Sequence, residues 1–144
     1  MNQADIYTSE YIVEFIVPWM QADSMFAEYA NLIQPFIQIP KDQAESILVI
    51  HNGFTESDPF GKTQIDFMVI AKTLPRSKKI ALDIFRKLRG RVNLSLPIPT
   101  ELPEGKTAAD FNPITIRKIF GNNVRMIGNV LNGEYRYNAS FFIQ

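Results

Sequence analysis

His51 is the single histidine of the chain and the first candidate for acid–base chemistry. A general-base imidazole needs a nucleophile within hydrogen-bond reach and an acid to orient it, and no motif supplies either. Carboxylates that could ligate a metal, Asp58 and Asp66 among them, are scattered, with no paired His or Cys spacing to complete a site. The chain has no cysteine, which excludes disulfides and thiolate metal centres. Gly121-Asn122-Asn123 and Gly128-Asn129 read as turn chemistry, and neither GxGxxG nor a P-loop occurs to cradle a phosphate. Aromatic residues make up 12 % of the chain, but most fall on periodic apolar faces and are not interleaved with bases as on a stacking platform. The expectation is a protein that is not an enzyme, with no catalytic residue, no cofactor and no metal, whose work is binding.

The elements that must position any binding surface are clearest between residues 62 and 91. The alternation of Ile65, Phe67, Val69 and Ala71 predicts a strand over Thr63–Lys72, with Gln64, Asp66, Met68 and Ile70 on a partly wet second face. A helix follows over Arg76–Arg89: Ile80, Ala81, Ile84, Phe85 and Leu88 make one stripe, Pro75 suits the first turn and Gly90 the stop. Its outer face carries Arg76, Lys78, Lys79, Arg86, Lys87 and Arg89 against Asp83. Cations in the last turn suit the helix dipole, whereas those in the first turn do not, so they serve either a solvated face or a partner.

Upstream, Tyr11, Ile12, Phe15, Ile16 and Trp19 predict a helix over Thr8–Trp19 that Pro18 ends or kinks. A second helix is expected over Asp23–Ile33, stopped by Pro35. Phe36–Ile39 and Ile47–Ile50 are strand-like, and Asn52-Gly53 turns the chain. The proline-bearing stretch Val92–Phe111 reads as a loop of roughly twenty residues, long enough to be functional. Ile114–Phe120, a turn at Gly121–Asn123, Val124–Leu131, the hairpin signal Asn132-Gly133 and an alternating last strand through Ile143 close the chain. The fold class is α+β, a mainly antiparallel sheet of about four to six strands against N-terminal helices and a central amphipathic helix. One domain over residues 1–144, with a long loop at 91–112, accounts for the length.

Charge is zero overall but lopsided. Residues 1–61 hold nine acids against Lys41 (1 − 9 = −8), and residues 62–144 hold fourteen bases against six acids (14 − 6 = +8). Either the halves neutralise each other within one fold, or opposite sides of the molecule carry opposite charge. The second arrangement steers head-to-tail association of identical subunits, which closes into rings. A nucleic-acid binder is usually basic overall, and this chain is not. No apolar run approaches the ~18 to 20 residues of a membrane span. The acidic start, with no Lys or Arg before Lys41, lacks the basic beginning of a secretory signal, so a cytosolic origin is the default expectation.

Asp58-Pro59, Gln64-Ile65-Asp66-Phe67, Val69–Lys72, the helix bearing Ala81, Ile84 and Leu88, and the last strand Gly133-Glu134-Tyr135-Arg136-Tyr137-Asn138-Ala139-Ser140-Phe141 follow one another at telling spacing. Together they resemble the tail terminator and minor-capsid group of bacteriophage tail-completion proteins, over residues 47–144. The 91–112 loop and the extended N-terminus depart from that pattern. The resemblance implies a ring, commonly a hexamer, at the head-proximal end of a tail tube, ending tube growth and joining tail to neck. Its partners would be other copies of itself, the tail tube protein and a neck or connector protein, with DNA only as passing cargo and no membrane. It would reside in the virion tail or neck, after assembly in the host cytoplasm. Under this reading Arg76, Lys78, Lys79, Arg86 and Arg89 of one subunit face acids such as Glu56 and Asp58 of the next. Two alternatives are a head-completion or connector protein of the same neck, and a ferredoxin-like small-ligand module with its pocket between the sheet and the 76–90 helix.

Overall fold

Six strands form one sheet in the order β1-β2-β3-β6-β5-β4, parallel between β1 and β2 and antiparallel everywhere else. In this computed structural model, residues 11–35, 45–54, 63–102, 104–111, 113–130 and 134–144 are described. The strands are β1 (Ile33–Pro35), β2 (Ser46–Phe54), β3 (Thr63–Ala71), β4 (Val92–Leu96), β5 (Ile114–Val130) and β6 (Glu134–Ile143). Helix α1 spans Ile12–Ala22 and α2 spans Leu74–Leu88, and 3-10 turns cover Ser24–Tyr29 and Ala108–Asp110. The chain is therefore α+β, with a mainly antiparallel sheet. Among the described residues no helix is long and apolar enough to cross a membrane.

The period-two pattern selects the face that the helices cover. Ile47 and Val49 of β2, Ile65, Phe67 and Val69 of β3, and Ala139, Phe141 and Ile143 of β6 share one core with residues of α1 and α2. From α1 come Phe15, Ile16 and Met20, and from α2 come Ile80, Ala81, Ile84 and Leu88, each at most 1 % exposed. Phe85 adds a stacked contact with Phe141 at 5.4 Å. Burying a side chain of the Ile or Phe class contributes about 1.5–3 kcal/mol, so this stripe anchors α2 and fixes which of its faces points outward.

Local chemistry sets the ends of α2. Thr73 Oγ1 accepts from the Arg76 amide at 3.3 Å, and Pro75 occupies the first turn, where no amide donor is needed. Past the last turn Gly90 adopts φ +78°, a conformation that costs a residue with a Cβ, and its amide donates to Ile119 O at 2.8 Å. That bond docks the end of the helix onto β5.

Several expectations change. Pro18 lies inside α1 without ending it, since the one lost amide bond is outweighed by burial of Val17 and Met20 around an exposed proline ring. The second helix shortens to the Ser24–Tyr29 turn, followed by β1: Phe26 and Tyr29 are three residues apart, which suits the 3-10 period, and Asp23 Oδ1 caps the turn through the Met25 amide. Asn52-Gly53 and Gly121–Asn123 are absorbed as register shifts within β2 and β5, so neither is a turn. Val92–Leu96 is a strand at the start of the expected loop, because Leu94 and Leu96 alternate inward against Ile116 and Ile114. On the second face of β3 the wet part is confined to Gln64, since Asp66, Met68 and Ile70 are buried, the last two beside Leu48. β5 and β6 are antiparallel and pair as close to the connection as Val130 and Glu134, as the hairpin signal implies. The strand expected over Phe36–Ile39 lies outside the described residues.

Candidate subunit-docking surface

The buried stripe of α2 leaves its cations on the opposite side, and their environments divide them into two groups. Arg76 is half-buried and held within the chain: its Nε donates to Glu45 Oε2 at 2.5 Å and its Nη2 to Glu45 Oε1 at 3.3 Å. The carboxylate bonds hold the guanidinium above its ordinary pKa, against the opposing effect of burial. Arg91 similarly reaches the acid-rich half, with Asp23 Oδ2 at 3.8 Å from its Nη1 and its guanidinium 5.3 Å from the centroid of Trp19. Lys87 pairs with Asp83 one turn earlier at 3.2 Å.

Lys78, Lys79, Arg86 and Arg89 form the second group. All are exposed, and none makes an ion pair with the described residues. The Arg89 guanidinium lies 5.6 Å from the Phe85 ring centroid, so its charge stays at the surface while its stem covers the ring. Glu56 and Asp58 lie outside the described residues. Part of the charge asymmetry is therefore satisfied inside the fold, through Glu45–Arg76 and Asp23–Arg91, and part remains as an exposed cationic face on α2.

Behind that face sits a node that periodicity does not reveal. Tyr29 is fully buried, and its hydroxyl donates to Asp83 Oδ2 at 2.6 Å. Burial, and next the hydrogen bond to Asp83, push the phenol well above its ordinary value. For Asp83 burial acts upward, but the bonds from Tyr29 and Lys87 and the charges of Lys87 and Lys79 outweigh it and hold the carboxyl below the usual range. The lone acid of the basic face thus locks α2 to the N-terminal layer. The sequence signal was present, an acid isolated among cations facing a tyrosine on an apolar stripe, but the pairing joins residues 54 apart in the chain.

His51 lies half-buried on β2 opposite Ile65, and Asp66 lies on the second face of β3, where Gln64 Nε2 bridges toward its Oδ1 at 3.5 Å and to Ser140 Oγ at 3.2 Å. Among the described residues no group of three or more His, Asp or Glu is placed to hold a metal ion.

No family model matches the chain, and no curated protein does. A solved chain from the virion of a native gene transfer agent (GTA) particle is similar, with TM-score 0.54, 12 % identity, and 88 % of this chain and 89 % of that one covered. The likeness is one of fold, and it extends over nearly the whole length of both chains.

Proposed function

We propose that this protein is a structural component of a phage-like virion: a ring-forming tail terminator at the head-proximal end of the tail tube, which ends tube growth and joins tail to neck. The observation that carries the reading is the whole-length likeness to a chain of a gene transfer agent virion. The order of elements is consistent with the tail-completion pattern that residues 47–144 resemble. Function on this reading is docking geometry, with no bond made or broken.

The exposed Lys78, Lys79, Arg86 and Arg89 are the cations that meet the acid-rich half of the adjacent subunit. Arg76 joins them at the margin, since Glu45 of its own chain already engages it. Reversing Lys78, Lys79 and Arg86 together to Glu tests the assignment, because all three are exposed and unpaired among the described residues. The variant is expected to fold normally, to lose self-association in sedimentation velocity, and to leave tails of irregular length in electron micrographs of particles produced with it. Tails of uniform length, joined to heads, would overturn the reading.

A further inference from the structure

The two ends of the sheet are treated differently. At one end the described part of β1 covers Ile33–Pro35. Because Leu32 O accepts from Ile47 of β2, the neighbouring Ile33 O turns outward, and there Gln21 Nε2 caps it at 2.9 Å. With that acceptor occupied and Pro35 offering no donor, this edge is poorly suited to accept another strand. At the other end β5 runs for seventeen residues, yet β4 pairs with it only over Ile114–Lys118, and Gly90 and Arg91 continue that cover to Ile119. From Phe120 to Val130, β5 has β6 on one side and none of the described residues on the other.

This open edge carries the marks of a docking line. Residues 121–123 and 125–127 are exposed, with Met126 at 52 % and Ile127 at 49 %. No acid occurs anywhere in β5; Arg125 is exposed on the open stretch, and Arg117 and Lys118 are exposed on the stretch beside β4. The C-terminal end of α2 sits directly on the strand: a Cβ on Gly121 would lie 3.2 Å from Cβ of Arg89. The open edge and the cationic end of α2 are thus one continuous surface.

We infer that this edge of β5, unpaired among the described residues, is where a second copy of this chain docks through its acid-rich half. The inference rests on the ring reading above and names the element that makes the contact. The match in charge selects this occupant: the base-rich half that owns the edge carries +8 and the acid-rich half carries −8. Backbone pairing along β5 sets the register while the cations of α2 and β5 select the partner. Two β5 edges meeting across a two-fold axis would instead bring cation toward cation.

Backbone and side-chain contributions are separable. Since Ile119 directs its amide and carbonyl away from β6, toward Arg91 and Gly90, the alternation and register place Met126 in the same outward sense. Met126→Pro therefore removes an outward donor and spares the pairing with β6, while Met126→Ala shortens the side chain and keeps the donor. Sedimentation velocity on the full chain is expected to show self-association weakened about ten-fold or more by the proline and little changed by the alanine. Ile127→Cys introduces one thiol into a chain that otherwise has none, and so gives a readout that leaves the strand's hydrogen bonds in place. Maleimide labelling of this variant is expected to be slow in the assembled fraction and fast in the monomer. Equal labelling of both, or equal behaviour of the proline and alanine variants, would overturn the edge assignment and leave ring formation standing. Efficient disulfide cross-linking between two Ile127→Cys chains would overturn it in favour of a two-fold contact. Failure of the unmodified chain to associate at any concentration would overturn the ring reading and this inference together.

Discussion

Tyr29→Phe should destabilise the protein by about 1.5–2 kcal/mol near neutral pH, and the loss should vanish at both pH extremes. The substitution removes one oxygen from a fully buried ring and leaves the packing unchanged. What is lost is a 2.6 Å bond donated to a carboxylate, a class worth about 1.5–3 kcal/mol. The lower part of that range applies because Asp83 keeps Lys87 at 3.2 Å and part of its hydration. At about 2–4 °C per kcal/mol for a domain of this size, Tm should fall by about 3–8 °C. Asp83 is held below its unfolded value, so its contribution is present above about pH 4 and is lost as the pH falls through the folded pKa. Tyr29 is held above its unfolded value, so its contribution is full below about pH 10 and is lost as the pH rises further. Thermal unfolding of both proteins from about pH 3 to about pH 11 should trace a plateau of difference between those limits. A difference below about 1 °C at neutral pH, or one that persists unchanged at about pH 3, would refute the node as described.

Gly121→Ala should cost about 1–3 kcal/mol, because the new Cβ would lie 2.6 Å from Cζ of Phe85, a ring already stacked on Phe141; urea unfolding measures it, and Phe85→Leu added to the same chain should recover part of the loss. Arg76→Gln should change stability by less than about 1 kcal/mol by urea unfolding, since its pair with Glu45 is partly solvated. If the exposed cations of α2 and β5 drive assembly, raising ionic strength from about 0.1 to 1 M, which shortens the screening length from about 10 to 3 Å, should dissociate the assembly without unfolding the subunit; light scattering and circular dichroism on one sample would follow both.

Helix α2 was the most legible element, and for a local reason. Its apolar stripe, its early proline and its trailing glycine act within single turns, and the helix, Leu74–Leu88, lies close to the expected Arg76–Arg89. The central strand β3 and the final hairpin were legible on the same grounds, since period-two alternation is a property of a short stretch of chain. Turn signals misled where a sheet could absorb them. Gly121-Asn122-Asn123 is compatible with a tight turn and equally with a bulge, and pairing along β6 chooses between them. In the same way Val92–Leu96 is too short to declare itself and is a strand because β5 lies beside it.

The candidate surface was half legible. Composition and helical spacing were enough to place six cations on one face of α2 and to reveal the opposed charge of the two halves. Only the fold could sort those charges, because an ion pair depends on distance in space: Arg76 is drawn inward by Glu45, Asp83 is claimed by Tyr29, and Lys78, Lys79, Arg86 and Arg89 are left outside. That the described residues leave one side of β5 unpaired was beyond reach of any reading of residues, since a strand's free side is defined by where its neighbours stop. Local pattern, short in range and fixed in period, determined which segments are helix and strand; long-range packing decided which of their faces and edges remain for another molecule.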